Sequence, residues 1–140
     1  MEIKVKKIDP TAKLPSFAHA DDAGLDLYSR KEYVVKPDNQ VYKIDTGIAF
    51  EIPTGFVGLI WDKSGISLKG IKTVGGVIDA GYRGEVTASV INLSKSDYVV
   101  NAGDKIAQIL IQKVEHPEIV QVDELSNSKR GVNRYGSTGK

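Results

Sequence analysis

Three aspartates crowd into one short stretch, "DDAGLDLYS", at positions 21–29. Asp26 stands between two leucines, so in an extended strand its carboxylate points away from the face that the leucines bury. With Asp21 and Asp22 nearby, it could hold a hard cation such as Mg²⁺, directly or through water. A solvated loop explains the same carboxylates. The stretch by itself leaves both interpretations open.

A second candidate is an anion site in "GLIWDKSGIS", residues 58–67. The stretch reads as the end of a strand followed by a short helical turn at Ser64 and Gly65. Backbone amides at such a start, together with the Ser64 hydroxyl and the Lys63 ammonium, can bind an anion. The alternative is an ordinary serine N-cap that does no more than begin the turn.

A third stretch, "GGVIDAGYRGEV" at 75–86, predicts a hairpin whose strands flank the turn "DAGY". Its paired glycines allow another backbone or a flat ligand to come close. If this hairpin forms the wall of a pocket, Asp79 is a candidate base and Tyr82 a candidate stacking surface. Otherwise Asp79 bonds its own turn backbone and Tyr82 is an aromatic residue at a strand end.

The fourth stretch, "GDKIAQILIQKV" at 103–114, is apolar on both faces for much of its length and carries Gln108 near its centre. A buried amide needs partners, because leaving it unpaired costs ~1–3 kcal/mol. Gln108 therefore either bridges two backbones or meets a ligand phosphate or its water.

The last stretch, "KRGVNRYGSTGK" at 129–140, has almost nothing apolar to hold it down. A frayed terminus is the ordinary fate of such a segment. Against that interpretation stand Arg130, Arg134 and Tyr135, which solubility alone would not require. A Walker phosphate loop does not fit, because the pattern needs a glycine where Arg134 stands, a Ser or Thr after Lys140 and then a helix, and this sequence supplies none of them. The composition predicts a packed domain over residues 1–122 and a mobile arm over 123–140.

The elements that must position these residues are predicted to be short strands. Apolar residues alternate in two stretches, which predicts one face of a strand each: Ile44, Ile48, Phe50 and Ile52 in the first, and Val86, Ala88 and Val90 in the second. Turn residues separate the strands, and only 64–70 suggests a helix, of a turn or two. Many short strands with frequent turns indicate an all-β sandwich or a jelly-roll-like barrel.

Composition excludes several classes of partner. A chain of 140 residues, 41% of them hydrophobic, fits one domain. The 19 basic and 18 acidic residues nearly balance, so no surface of one sign is expected to bind nucleic acid or a membrane. Cysteine is absent, which removes disulfides, thiol nucleophiles and zinc–thiolate sites. With no apolar leader or membrane span, a cytoplasmic protein is expected.

The five stretches, in this order, resemble the five motifs of the trimeric dUTP diphosphatase (dUTPase) family. The matching segments are "AGLDL", "KSG", "GGVIDAGYRG", "GDKIAQ" and "RGVNRYGSTG", and they span residues 23–139. The resemblance implies a jelly-roll-like β-barrel of the β-clip type, a homotrimer with shared active sites, and a C-terminal arm that closes over bound nucleotide. The implied reaction is Mg²⁺-dependent hydrolysis of dUTP to dUMP and pyrophosphate. That reaction limits uracil incorporation into DNA and supplies dUMP for dTMP synthesis.

The resemblance also assigns roles. Asp79 would orient and deprotonate the attacking water, Tyr82 would pack on the deoxyribose and exclude a 2′-hydroxyl, and Asp26 would hold Mg²⁺ through its water shell. Backbone groups at 76–78 would read the uracil. The implied substrate contacts are Lys63, Ser64, Gly65, Gly76, Val77, Ile78, Tyr82, Gln108, Arg130, Tyr135, Gly136, Ser137 and Thr138.

Five residues depart from the family pattern. Lys63 stands where arginine is usual, Val132, Asn133 and Arg134 stand where small residues are usual, and Tyr135 stands where phenylalanine is usual. Lysine keeps the positive charge but loses the bidentate fork. Two other functions are compatible with the same scaffold. A dCTP deaminase would carry a catalytic glutamate where Ser89 stands, and a nucleotide-binding module would bind without hydrolysis.

Overall fold

The fold is built almost entirely from short antiparallel strands. The computed structural model describes residues 1–132, which form eleven strands and one helix of four residues. In chain order these are β1 Lys4–Lys7, β2 Leu25–Tyr28, β3 Tyr33–Val35, β4 Tyr42–Asp45, β5 Ile48–Glu51, β6 Phe56–Trp61, α1 Ser64–Ser67, β7 Ile71–Thr73, β8 Val77–Ile78, β9 Thr87–Asn92, β10 Tyr98–Val100 and β11 Lys105–Lys113. The all-β prediction is confirmed, as is the short helix within 64–70.

Two sheets carry the stretches that could do chemistry. The larger has the strand order β2-β11-β6-β8, and the second has the order β4-β9-β7. The remaining strands form two ribbons, β1 with β5 and β3 with β10. Every strand pair is antiparallel. Because β11 lies between β2 and β6, it brings the first, second and fourth stretches together.

The predicted strand over residues 41–52 is interrupted. The four side chains predicted for its inner face, Ile44, Ile48, Phe50 and Ile52, are all buried as expected. However, β4 ends at Asp45 and β5 begins at Ile48. Between them Gly47 adopts a φ of 71°, which is unfavourable for residues with a side chain. A Cβ at Gly47 would also come within 2.8 Å of the Ala12 side chain. The prediction of one continuous strand was therefore wrong, because this turn passes the chain from one sheet to a separate ribbon.

The core lies between the sheets and follows the predicted alternation. In β9 the residues alternate between buried and half-buried, and Val86, Ala88 and Val90 are at most 1% exposed. The largest fully buried apolar side chains are Phe50, Leu27, Ile44, Ile48, Ile109, Val35, Val86 and Val90. Across residues 1–132, no helix has the length and hydrophobicity needed to cross a membrane.

Candidate active site

The third stretch lines a pocket beside the turn that follows β8. Its volume is about 240 Å³, and its walls are Gly76, Val77, Ile78, Asp79, Tyr82, Glu85, Thr87 and Ser89. Four of these residues were predicted to contact substrate, and Asp79 was predicted to be the base. Ligand pockets usually span ~300–1,000 Å³, so this one has room for a base or a sugar rather than for a whole nucleotide.

The polypeptide around this pocket is not a hairpin. The backbone N–H of Tyr82 donates to the carbonyl of Asp79 at 3.0 Å, which closes the predicted turn. However, β8 pairs with β6, whereas β9 pairs with β4 and β7. The prediction of two mutually paired strands was wrong, because the turn connects two different sheets. The pocket therefore lies where the sheets diverge.

The side chain of Tyr82 is held in place by its own loop. Its hydroxyl donates to the Glu85 carbonyl at 3.1 Å, and its residue remains 45% exposed. A Cβ at Gly84 would overlap the Tyr82 hydroxyl oxygen, so only glycine leaves room for this contact. Arg83 donates to the carbonyls of Ala80 and Tyr82 at 2.6 and 2.8 Å. The loop thus holds the Tyr82 side chain in the wall of the pocket.

A second group of predicted residues gathers at the far end of β6. Asp26 on β2 lies opposite Gln108 on β11, and Gln108 lies opposite Trp61 on β6. Lys63 follows two residues after Trp61, and its ammonium contacts Asp26 Oδ1. The structure therefore brings the first, second and fourth stretches into contact, as neighbouring strands of one sheet.

The start of α1 differs from the serine N-cap alternative. Lys63 is the N-cap residue, no side chain caps the helix, and Ser64 is its first helical residue. Ser64 and Gly65 are both exposed. The first N–H groups of a helix have no acceptor within it, so the Ser64 and Gly65 amides are available to an external acceptor.

Gln108 is positioned by the end of β6. Its Nε2 donates to the carbonyl of Asp62 at 2.7 Å, so the amide bridges from one strand to the backbone of another. Its Oε1 points toward Gly24, where a Cβ would overlap that oxygen and come within 2.9 Å of the Gln108 Cδ. The buried Gly24 is therefore what gives the Gln108 amide its space.

Replacing Gly24 with alanine is expected to displace the Gln108 amide and break its bond to Asp62. We expect the free energy of unfolding to fall by about 1–3 kcal/mol, the usual range for overpacking a buried site. Urea unfolding at fixed protein concentration measures the change. Gly65→Ala is the matched control, because nothing lies within 4 Å of a Cβ there. Equal stability of the two variants would contradict this role for Gly24.

Asp62 fastens the end of β6 to β7. Its Oδ1 accepts hydrogen bonds from the Thr73 N–H at 2.7 Å and the Thr73 hydroxyl at 2.6 Å, and its Oδ2 contacts the Lys72 ammonium. Burial alone raises the pKa of Asp62, but the Lys72 and Thr73 donors outweigh it and hold that pKa below its usual range. The carboxylate is consequently a charged anchor immediately before Lys63.

Replacing Asp62 with asparagine is expected to lower the free energy of unfolding at pH 7 by about 2 kcal/mol, because hydrogen bonds to a charged group are lost. The pKa of Asp62 is lower in the folded protein than the ordinary value of about 3.9, so its contribution is complete above that pH. It is lost as the pH falls through the folded pKa. Urea unfolding from pH 7 to pH 3 should show wild type and variant converging at the acid end. If the difference in free energy of unfolding between wild type and variant grew toward low pH, it would contradict the lowered pKa assigned to Asp62.

Asp79 and Lys63 lie far apart within one chain. Ile78 pairs with Gly58, and Asp79 follows Ile78, whereas Lys63 lies beyond the opposite end of β6. About six extended residues separate the two positions, which corresponds to roughly 20 Å at ~3.3 Å per residue. Side chains of one chain cannot bridge that gap around a single phosphate.

Asp26 does not fit a metal site in this conformation. The residue is 2% exposed, and each carboxylate oxygen faces a lysine ammonium, Oδ1 that of Lys63 and Oδ2 that of Lys105 at 2.6 Å. Asp21 and Asp22 are exposed, and Asp22 accepts a bond from the His19 N–H, as in a solvated loop. Among residues 1–132 no three His, Asp or Glu side chains come together as metal ligands. Binding of Mg²⁺ by Asp26 through water stays a prediction.

The fifth stretch is described only at its beginning. The last strand ends at Lys113, and every residue from Glu115 to Val132 is exposed, Arg130 among them. The predicted contacts of Tyr135, Gly136, Ser137 and Thr138 lie outside the described residues. The roles assigned to this stretch therefore remain predictions.

With this geometry in view, the similarity to known proteins becomes informative. A family model described as dUTPase matches residues 11–139. The chain belongs to the dUTPase family. A deoxyuridine 5′-triphosphate nucleotidohydrolase of Mycobacterium marinum is 46% identical over 146 residues, covering 98% of this chain and 94% of the relative. That of Clostridioides difficile is 44% identical over 140 residues, covering 98% and 97%.

Solved dUTPase structures have the same fold. The dUTPase of Staphylococcus bacteriophage 80alpha, in a complex with dUpNHpp, superposes with a TM-score of 0.93 at 30% identity and covers 99% of both chains. A dUTPase mutant of S. aureus phage phi11, described with a structural Mg(II) ion, superposes with a TM-score of 0.83 at 30% identity, covering 89% of this chain and 98% of that one. The prediction of a jelly-roll-like β-barrel of the dUTPase β-clip type is confirmed.

Sequence reasoning missed four positions that the dUTPase fold uses here: Lys105, Asp62, Gly24 and Gly84. In the sequence Lys105 looks like an ordinary charged residue at the start of a strand. The residues around it do not indicate that β2 lies beside β11. Gly24 and Gly84 each make room for a predicted site residue, Gln108 and Tyr82. Both glycines stand inside segments that resemble the family motifs, "AGLDL" and "GGVIDAGYRG", and that was the available signal.

Proposed function

We propose that this protein hydrolyses dUTP to dUMP and pyrophosphate, with Mg²⁺ as cofactor. Membership of the dUTPase family supports the reaction class. The observation that carries the proposal is the pocket that unites the Asp79 carboxylate with the Tyr82 ring and the backbone of residues 76–78. One depression thus holds a general base, an aromatic surface on which a sugar can pack, and a backbone edge that can recognise a nucleobase.

In the proposed reaction, Asp79 acts on water. Asp79 is exposed at the start of the turn, and its carboxylate can accept a proton from a water molecule that attacks the α-phosphorus. The new P–O bond forms at that phosphorus while the bond to the bridging oxygen of the β-phosphate breaks. Pyrophosphate leaves with the bond's electron pair, and Asp79 holds the water's proton until solvent removes it.

Selection of a pyrimidine deoxynucleoside is assigned to β8 and Tyr82. Because β8 is the last strand of its sheet, one side of its backbone has no neighbouring strand in the described chain. Such an edge offers N–H donors and carbonyl acceptors, which suits recognition of uracil by Gly76, Val77 and Ile78. Tyr82, fixed by its bond to Glu85, would pack on the sugar and leave no space for a 2′-hydroxyl.

Phosphate binding is assigned to the second group of residues. Lys63 supplies a positive charge, Ser64 and Gly65 supply amides and a hydroxyl, and Gln108 supplies an amide. Fixed donors of this kind stabilise the charge that accumulates on phosphate oxygens in the transition state. The arm would add Arg130 on the γ-phosphate, Tyr135 over the uracil, and residues 136–138 around the outer phosphates. Bound Mg²⁺ would neutralise further charge on the triphosphate.

A homotrimer with shared sites is part of the proposal. The roughly 20 Å between Lys63 and Asp79 along β6 supports it, since one chain cannot place both at one reacting phosphate. The segment after β11 also supports it, because its large apolar side chains are strongly exposed. They are Ile119 at 88%, Val120 at 67%, Val122 at 54% and Leu125 at 88%. Such a run of exposed apolar residues favours packing against another chain.

Mixing two inactive variants tests site sharing. Asp79→Asn removes the base, and Gly65→Asp places a negative charge among the phosphate contacts, at a position where a Cβ meets nothing within 4 Å. If one site takes Asp79 and Gly65 from different chains, random reassembly of equal amounts should restore about a quarter of wild-type sites. We expect that recovery in pyrophosphate release after reversible dissociation. Activity no greater than the sum of the separate variants would show that each site belongs to one chain.

A panel of nucleoside triphosphates tests the reaction itself. Purified protein with Mg²⁺ is incubated with dUTP, UTP, dCTP or dTTP, and both pyrophosphate and ammonia are measured. Pyrophosphate from dUTP, with little from the others, is the expected result. Ammonia from dCTP would instead indicate a deaminase. That outcome is not expected, because Ser89 in the pocket wall stands where a deaminase would carry its catalytic glutamate. Tight binding of dUTP without either product would indicate a nucleotide-binding module.

A further inference from the structure

A buried carboxylate with two cationic partners lies beside the proposed phosphate contacts. Asp26 is 2% exposed, its Oδ1 contacts the Lys63 ammonium, and its Oδ2 lies 2.6 Å from the Lys105 ammonium. The Lys105 contact neutralises charge without a well-aligned hydrogen bond, so Oδ2 keeps unused acceptor capacity. Together these three side chains carry one negative and two positive charges.

One of the two lysines exceeds what Asp26 requires. A buried carboxylate needs a compensating cation, because an isolated buried charge is strongly unfavourable. One ammonium meets that need, and the second leaves a net positive charge. Lys63 is directly followed by Ser64 and Gly65, whereas Lys105 begins β11 opposite Tyr28. Lys63 is therefore the lysine that can reach a second anionic partner at the proposed phosphate contacts.

We infer that Lys63 exchanges partners when nucleotide binds: it docks on Asp26 in the free protein and moves to a phosphate of the bound triphosphate. Lys105 stays on Asp26 and keeps the buried carboxylate neutralised. A triphosphate carries several negative charges, so it competes effectively for an ammonium that shares its carboxylate with another lysine. This inference rests on the proposed function, because it names the events at the same phosphate site.

The exchange makes Lys105 a positioning residue that acts through Asp26. Without Lys105, departure of Lys63 would leave Asp26 buried and uncompensated, so Lys63 would be retained and phosphate binding would weaken. Without the negative charge of Asp26, Lys63 would be free whether or not Lys105 is present. The effect of losing Lys105 should consequently depend on the residue at position 26.

A set of variants measures this dependence. Binding of dUpNHpp is followed by calorimetry in EDTA, so that no divalent metal takes part, for wild type, Lys105→Met, Asp26→Asn and the double variant. We expect Lys105→Met to weaken binding about ten-fold. The double variant should bind within about two-fold of Asp26→Asn. Such a dependence lies in the usual range of coupling between contacting residues. Lys72→Met is the matched control, because it removes a cation from the neighbouring Asp62 pair. Its effect should be small and independent of position 26.

Two results would overturn the exchange. If Lys105→Met weakens dUpNHpp binding as much in the Asp26→Asn background as in wild type, Lys105 contacts the nucleotide directly. No loss from Lys105→Met would mean that Lys63 is not retained by Asp26. If wild-type protein binds dUpNHpp neither in EDTA nor with Mg²⁺, the proposed function fails, and the inference fails with it. The two failures are thus distinguishable.

A measurement on wild-type protein covers the case in which a variant does not fold. Lysine labelled with ¹⁵N gives ammonium resonances, and those of Lys63 and Lys105 are assigned from Lys63→Arg and Lys105→Arg. On addition of dUpNHpp, the Lys63 resonance is expected to shift while the Lys105 resonance keeps the signature of its ion pair. An unchanged Lys63 resonance at saturating dUpNHpp would overturn the inference.

Discussion

Replacing Asp79 with asparagine is expected to lower kcat for dUTP hydrolysis by about 10³-fold, within the range for loss of a general base. Asparagine has nearly the same shape but cannot accept the proton of the attacking water. Binding of dUpNHpp should change little, because the exposed Asp79 carboxylate has no assigned contact with the phosphates. The measurement is pyrophosphate release under saturating dUTP, accompanied by calorimetry with dUpNHpp.

Asp97→Asn is the matched control for this substitution. Asp97 is also an exposed aspartate, but it lies in the turn between β9 and β10 and not in the pocket. Its replacement should leave both kcat and the unfolding midpoint unchanged. Undiminished hydrolysis by purified Asp79→Asn would remove Asp79 as the base and require another group, or a contaminant, to explain the activity. A loss of the unfolding transition would instead assign Asp79 to the turn.

Deleting residues 130–140 is expected to lower kcat/KM for dUTP by about 100-fold or more, since removal of even one donor to developing charge commonly costs that much. The deletion removes Arg130, Tyr135 and residues 136–138 from the proposed site. The packed domain should be unaffected, because the last strand ends at Lys113 and every described residue from Glu115 onward is exposed. Steady-state kinetics and thermal unfolding are the two measurements.

Removing Lys140 alone is the control for the shortened arm. The family match ends at residue 139, so this truncation leaves all matching residues in place. We expect wild-type kinetics from it. If the long deletion also keeps wild-type kcat/KM, the arm does not contribute to catalysis. If the long deletion lowers the unfolding midpoint by several degrees, the arm stabilises the assembly and its kinetic effect has a structural cause.

The strand pattern was largely predictable because burial alternates with side-chain direction. Val86, Ala88 and Val90 follow period two and lie in the core, and so do Ile44 and Ile48. The partners of these strands were not predictable. Periodicity tells which face of a strand is buried, but it does not tell which strand lies beside it. The assumed pairing of β8 with β9 failed for that reason.

The candidate site was predictable where its residues are close in sequence. Residues 76–82 form one wall of a pocket because a single turn holds them, and the sequence of that turn was sufficient. The contacts of Asp26 were not predictable in the same way. Its two lysines come from positions 63 and 105. They meet at Asp26 only because β11 lies between β2 and β6, with Gln108 opposite both Asp26 and Trp61. Electrostatic partners over such sequence separations depend on topology.

The distance of roughly 20 Å between Lys63 and Asp79 along β6 has a consequence for cells that make little of this protein. If every site forms at a contact between chains, a dissociated chain has no activity at all. Specific activity should then rise with protein concentration and reach a plateau only above the dissociation constant of the assembly. The amount of protein made would act as a threshold, below which dUTP persists and above which it is removed.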